Sequence, residues 1–147
     1  MIMDSLLEFS DAQALASISD TSSTISTNVS DLGANGEDAW GSAQTMDIGE
    51  GGGLVFNAQV VAALVGASAA IVCELTTKAA DATLGTSGTN VVSLTIPTIS
   101  AIGTRVSVRV PTGTIERYIG VLYTASGGNL TSATIDSWIG LDHETSK

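Results

Sequence analysis

The sequence predicts an all-β protein, a jelly roll or β-sandwich, with residues 1–147 as a single domain. Three observations point there. The chain holds 18 Ser, 18 Thr and 16 Gly, a composition in which strand formers alternate with turn formers. Apolar residues recur at every second position in several short runs. Those runs are separated by Gly- and Pro-containing turns, with no internal repeat, linker or heptad between them. A hydrophobic fraction of 44% and a mean hydropathy of +0.34 give the chain enough apolar surface for a core.

Taken in order, residues 1–14 read as an N-terminal arm or an edge segment of the domain. The segment from Asp31 to Asp38 is a loop by composition; its oxygens could serve calcium, but it lacks a regular Asp-x-Asp-x-Asp-Gly ladder. Leu54, Phe56, Ala58 and Val60 share one face of a first strand, and Ala69, Ile71, Cys73 and Leu75 one face of the next. Cys73 thereby reads as a small core residue. Residues 78–88 form a polar loop, and Val92, Leu94 and Ile96 mark a strand stopped by Pro97. Between 104 and 110, Val106, Val108 and Val110 face inward while Arg105, Ser107 and Arg109 face outward. A strand around Tyr118 and Tyr123 follows. The last strand carries Ala133, Ile135, Ser137, Ile139 and Leu141 on its inner face and Trp138 on the other.

From Gly51 to Cys73 there is no charged residue, a length that could cross a bilayer. Acidic flanks at Glu50 and Glu74, polar Asn57, Gln59 and Ser68, and a Gly66-Ala67-Ser68 turn signal favour two strands and a turn instead. No membrane association is expected. The N-terminus carries Asp4 where a signal peptide would carry Lys or Arg, so synthesis in the cytoplasm is expected.

The 15 acidic residues outnumber the 5 basic ones, giving a formal net charge of -10. That balance argues against nucleic-acid binding, which needs a basic footprint. Nine of the acids fall in residues 1–50, where Lys and Arg are absent. This region is either a solvated surface or a contact face for a basic partner. Arg105, Arg109 and Arg117 form either a solvated stripe or an interface. Trp138, turned from the core, would need cover from a partner or from the second sheet.

Catalytic signals are thin. The single His143 lies in a polar tail, poorly placed to be held as a base. One His and one Cys make no zinc site without several carboxylates. Glu37 with Asp38, or Asp47 with Glu50, could form a hydrolase pair, but six aromatics are few for a sugar-binding cleft. The Glu50-Gly51-Gly52-Gly53 run lacks the Lys-Ser/Thr of a phosphate loop. No catalytic residue, cofactor or metal site is expected.

Two stretches carry a resemblance. The opening Met1-Ile2-Met3-Asp4-Ser5-Leu6-Leu7-Glu8-Phe9-Ser10-Asp11-Ala12-Gln13-Ala14 resembles the start of the capsid cement (head decoration) proteins of short-tailed phages, of the Bordetella-phage type. The run Glu116-Arg117-Tyr118-Ile119-Gly120-Val121-Leu122-Tyr123, on through Gly127 to Leu141-Asp142, is similar to that family's last two strands. The resemblance implies a jelly-roll or β-sandwich virion protein on the outer surface of an icosahedral head, bound to the major capsid protein. It further implies self-association, as dimers straddling neighbouring subunits, with a trimer at threefold positions as the alternative. On this reading the expected contact residues are Asp4, Leu6, Leu7 and Phe9, the stripe Arg105 and Arg109, and Arg117 with Trp138. A rival reading is a β-sandwich carbohydrate-binding or adhesive module using Trp40 or Trp138 as a sugar platform.

Overall fold

The computed structural model describes residues 7–33, 53–66, 69–80, 84–85, 88–112 and 115–141. Within them run the strands β1 (Glu8–Ile18), β2 (Ser23–Ile25), β3 (Ser30–Asp31), β4 (Leu54–Val65), β5 (Ala70–Lys78), β6 (Thr89–Ile96), β7 (Arg105–Arg109), β8 (Tyr118–Ser126) and β9 (Leu130–Leu141). There is no α-helix among the described residues. The strands build two antiparallel sheets, one in the order β1-β9-β4-β7 and one in the order β2-β8-β5-β6, with β3 also paired to β8. β2 and β3 both lie along β8, so they act as one interrupted strand. The chain then crosses repeatedly from sheet to sheet, which is the double-sheet jelly-roll arrangement.

Alternation decides which side chains meet. Phe56, Ala58 and Val60 of β4 and Ala133, Ile135 and Ile139 of β9 face Ile71, Cys73 and Leu75 of β5 and Ile119, Val121, Tyr123 and Ala125 of β8. All are buried. A fully buried Ile, Leu or Phe contributes about 1.5–3 kcal/mol of transfer free energy, so this layer carries most of the fold's stabilisation. Val106, Val108 and Val110 pack partly buried against the same core. Cys73 is a buried free thiol, and burial pushes it far above the usual range.

Within the uncharged 51–73 stretch, the described residues hold β4 and the start of β5. No helix among the described residues is long and apolar enough to cross a membrane.

Four details depart from the pattern. β1 buries Phe9, Ser10, Leu15 and Ile18, a set that no single period of two connects, and a register shift between Ser10 and Gln13 passes the core-facing parity from Ser10 to Leu15. At that bulge Ala12 takes φ 46, and its N–H donates to Asp136 Oδ1 at 2.6 Å. Leu84, in the segment expected to be a polar loop, is fully buried on the outer side of the second sheet. It sits over Gly120, where any Cβ would come within 2.5 Å of its Cδ1. Leu141, expected to face the core, is 75% exposed at the last rung of β9 opposite Leu54, so its position at the strand end overrides its alternation.

The two flanks of the sandwich differ. On the β1 side, Asn28 N–H donates to Phe9 O at 2.9 Å and Gln13 Nε2 donates to Ile25 O at 2.8 Å, tying β1 to the end of β2 and the segment after it. On the other side β6 and β7 are the terminal strands of their sheets.

Candidate interaction surface

Register places Ser107, Asn57, Trp138 and Glu8 in one row across the outer face of the first sheet. The next rows are Arg105, Gln59 and Asp136 on one side and Arg109, Val55 and Gly140 on the other. Asn57 is fully buried although it points away from the core. Its Oδ1 accepts from Arg105 Nη2 at 2.6 Å, Arg105 Nε at 3.1 Å and Ser107 Oγ at 2.7 Å, and its Nδ2 donates to Val55 O at 2.9 Å. Arg105 also lies over the Trp138 ring, 5.0 Å from its centroid.

The structure therefore brings Arg105 and Trp138 together, but not as an open anchor. Trp138 turns outward as its alternation requires, yet it is only 5% exposed. No partner is needed to cover it. Its buried Nε1 makes no hydrogen bond. A sugar platform requires an open ring face, and Trp138 does not offer one. Arg105 itself is exposed and meets no carboxylate at ion-pair distance among the described residues. Arg109, four residues further along β7, is exposed as well. Asn57 organises this row, a role that sequence alternation alone does not assign. Its one sequence signal is that it interrupts, with Gln59, the apolar run from Leu54 to Val65.

Arg117 lies elsewhere, at the entry to β8. Its Nε and Nη2 donate to the two Asp31 oxygens at 2.8 Å each, joining β3 to the chain before Tyr118. The Arg117 guanidinium, together with the Gly33 N–H, holds the Asp31 carboxyl down to about 2. Arg117 also covers the Tyr118 ring at 4.9 Å. Asp31, a candidate calcium oxygen, is thus engaged by Arg117.

The N-terminal candidates divide. Leu7 is partly buried against the core. Phe9 is completely buried, so its side chain offers nothing to a partner, contrary to its expected contact role. Asp4 and Leu6 lie outside the described residues, as do Glu37, Asp38, Trp40, Asp47, Glu50 and His143. Among the described residues no group of three or more His, Cys, Asp or Glu is close enough to hold a metal ion.

Fold and surface together define an antiparallel jelly-roll domain with a cation-over-aromatic outer face. The Bbp16 family model matches residues 9–139, from the second residue of β1 almost to the end of β9. The chain belongs to the Bbp16 family, a name that points to a Bordetella phage protein. The match starts at Phe9, so the first eight residues of the opening resemblance lie outside it. No curated protein matches the chain.

Proposed function

We propose that this protein is a virion structural protein that binds the outer surface of an icosahedral phage head. There it cements neighbouring major capsid proteins against internal DNA pressure. The observation that carries the reading is a phage-named family match running over residues 9–139 of a jelly-roll domain. The physics of the role needs no pocket and no proton transfer. Packaged DNA pushes the shell outward, and failure begins where subunits part. A stiff β domain touching two subunits must detach from one of them before they separate. Each contact can be modest, because simultaneous engagement raises avidity by orders of magnitude. Self-association into dimers would multiply the number of seams each unit spans, and a useful interface would bury about 800 Å² per partner.

The protein acts without a cofactor and is no enzyme on this reading. The test adds purified protein to undecorated heads, then measures co-sedimentation and the temperature at which heads release DNA. Binding with a raised release temperature is expected. Absence of both overturns the proposal.

A further inference from the structure

We infer that the sandwich end carrying Ile99 and Ile102 is the shell-facing end, and that these two side chains insert into an apolar pocket of a capsid subunit. The inference rests on the head-binding reading above and adds the docking end and the chemistry of the contact.

The geometry begins with the β6–β7 connection, residues 97–104. Register places its start at the same end of the sandwich as the β1–β2, β4–β5 and β8–β9 connections, since Ile18 pairs with Leu130, Val65 with Ser132, Ala70 with Ser126 and Ile71 with Ile96; from there it runs back along the β4 edge to Val60. Ile99 is 93% exposed and Ile102 67% exposed. Among the described residues the other exposed large apolar side chains are Val65 and Leu141. An exposed isoleucine alone means little. Two on one short connection, both held in place, mean more.

They are held firmly. Ser100 Oγ donates to Pro97 O at 2.7 Å, and Thr104 N–H donates to Ala101 O at 3.0 Å. Gly103 N–H donates to Val60 O at 2.8 Å, and Val60 N–H donates to Thr104 O at 2.9 Å. The connection is thereby clamped to β4, so its side chains are presented with little ordering left to do on contact.

The second observation is independent of exposure. Ile99 has φ 61, in the left-handed region. A β-branched side chain is strained there, and glycine or asparagine fills such turn positions more readily. Ile99 gains no burial within the chain in return. Neither folding nor solubility accounts for an isoleucine at that point, whereas an external apolar pocket does.

Charge and area select the occupant. The protein carries a formal net charge of -10, yet Asp20 is the one charged residue in the four connections at this end, 19–22, 66–69, 97–104 and 127–129. The 97–104 connection itself is uncharged, which suits a neutral apolar pocket on a protein. It lacks the Lys, Arg and Trp that anchor a surface to lipid. Two side chains cover far less than the roughly 800 Å² per partner that holds two free copies together. They suffice as one contact among several on a pre-assembled shell.

The experiment compares the wild type, I99G and I102S for binding to undecorated heads, with thermal melting of each free protein alongside. I99G is expected to raise the melting temperature, because glycine accepts the left-handed backbone, and yet to weaken head binding about tenfold or more. I102S is expected to weaken binding similarly with its melting temperature little changed. Wild-type binding that both variants retain overturns the docking end but leaves the cementing reading intact. Failure of the wild type to bind overturns the cementing reading, and the docking assignment with it. A solution oligomer that the variants dissolve, with head affinity unchanged, assigns the tip to a second copy. Wild-type binding to phosphatidylcholine vesicles that the variants lose assigns it to lipid. Either result overturns the shell pocket.

Discussion

Tyr123 joins the two sheets through a chain of hydroxyls whose proton order its neighbours fix. Gln13 Nε2 donates to Ile25 O at 2.8 Å and Gln13 Oε1 accepts from Thr27 N–H at 2.9 Å, so the amide has one orientation. Ser10 Oγ must then donate to Gln13 Oε1. With its proton so placed, Ser10 accepts from the Tyr123 hydroxyl at 2.7 Å, and Tyr123 in turn accepts from Ser137 Oγ at 2.6 Å. Burial also raises the phenol above its usual range, which keeps it a donor. Y123F leaves Ser137 without its acceptor inside the core. It should cost about 1–3 kcal/mol, read as a lower urea midpoint. A variant as stable as the wild type would show that the chain of hydroxyls does not hold the sheets. Asp31 supplies a pH prediction at the same scale. Its pKa is lowered, from the 3.8 of a free carboxyl to about 2, so the contribution of the Arg117 pair is complete above pH 3.8 and fades as pH falls through about 2. Carbon-detected NMR titration should find the Asp31 carboxyl at about 2, and R117M should return it toward 3.8. The pair is exposed, so its effect on stability is small.

Among the elements, β7 shows how a terminal strand is retained. It has five residues and pairs on one side with β4. Its inner valines are only half-buried, and Asn57 anchors its outer side by accepting from Arg105 and Ser107. N57A removes that acceptor, so β7 should open locally. Amide exchange in Val106 and Val108 should speed up about tenfold or more while β8 amides hold their protection. Uniform acceleration would mean instead that Asn57 supports the whole sandwich. β7, β4, β5, β6 and β8 were legible in the sequence because each keeps a period of two over its whole core-facing run. β1 was not read as a strand. Its buried residues Phe9, Ser10, Leu15 and Ile18 follow no single period of two, its register against β9 shifts on both sides of Ser10, and no propensity rule anticipates a left-handed alanine. A12G should relieve that backbone and raise the unfolding free energy, read from urea titration, by as much as about 1 kcal/mol, less what glycine's freedom returns to the unfolded chain. β2 and β3, at three and two residues, are too short to carry a period at all.

Across the whole molecule, contact candidates were harder to read than strands. Outward alternation correctly exposed Arg105 and Arg109, but the cover over Trp138 comes from Arg105, 33 positions earlier, and only tertiary pairing reveals it. Ile99 and Ile102 follow a Pro-stopped strand and could pass for its continuation; their exposure depends on how the connection folds back onto β4. The charge distribution was legible, and it separates two roles that one affinity measurement would merge. Acids are concentrated in residues 1–50, every basic residue lies at 78 or beyond, and the tip with Ile99 and Ile102 is neutral. Long-range charge acts mainly on encounter and is screened by salt, whereas desolvated apolar contact acts mainly on escape. On undecorated heads, raising salt from about 50 mM to about 500 mM should therefore slow association several-fold and change dissociation by less than about twofold. I102S should do the reverse, speeding dissociation with association nearly unchanged. If salt instead governs dissociation and I102S leaves it alone, the acidic region is the anchor. The neutral tip then points away from the shell.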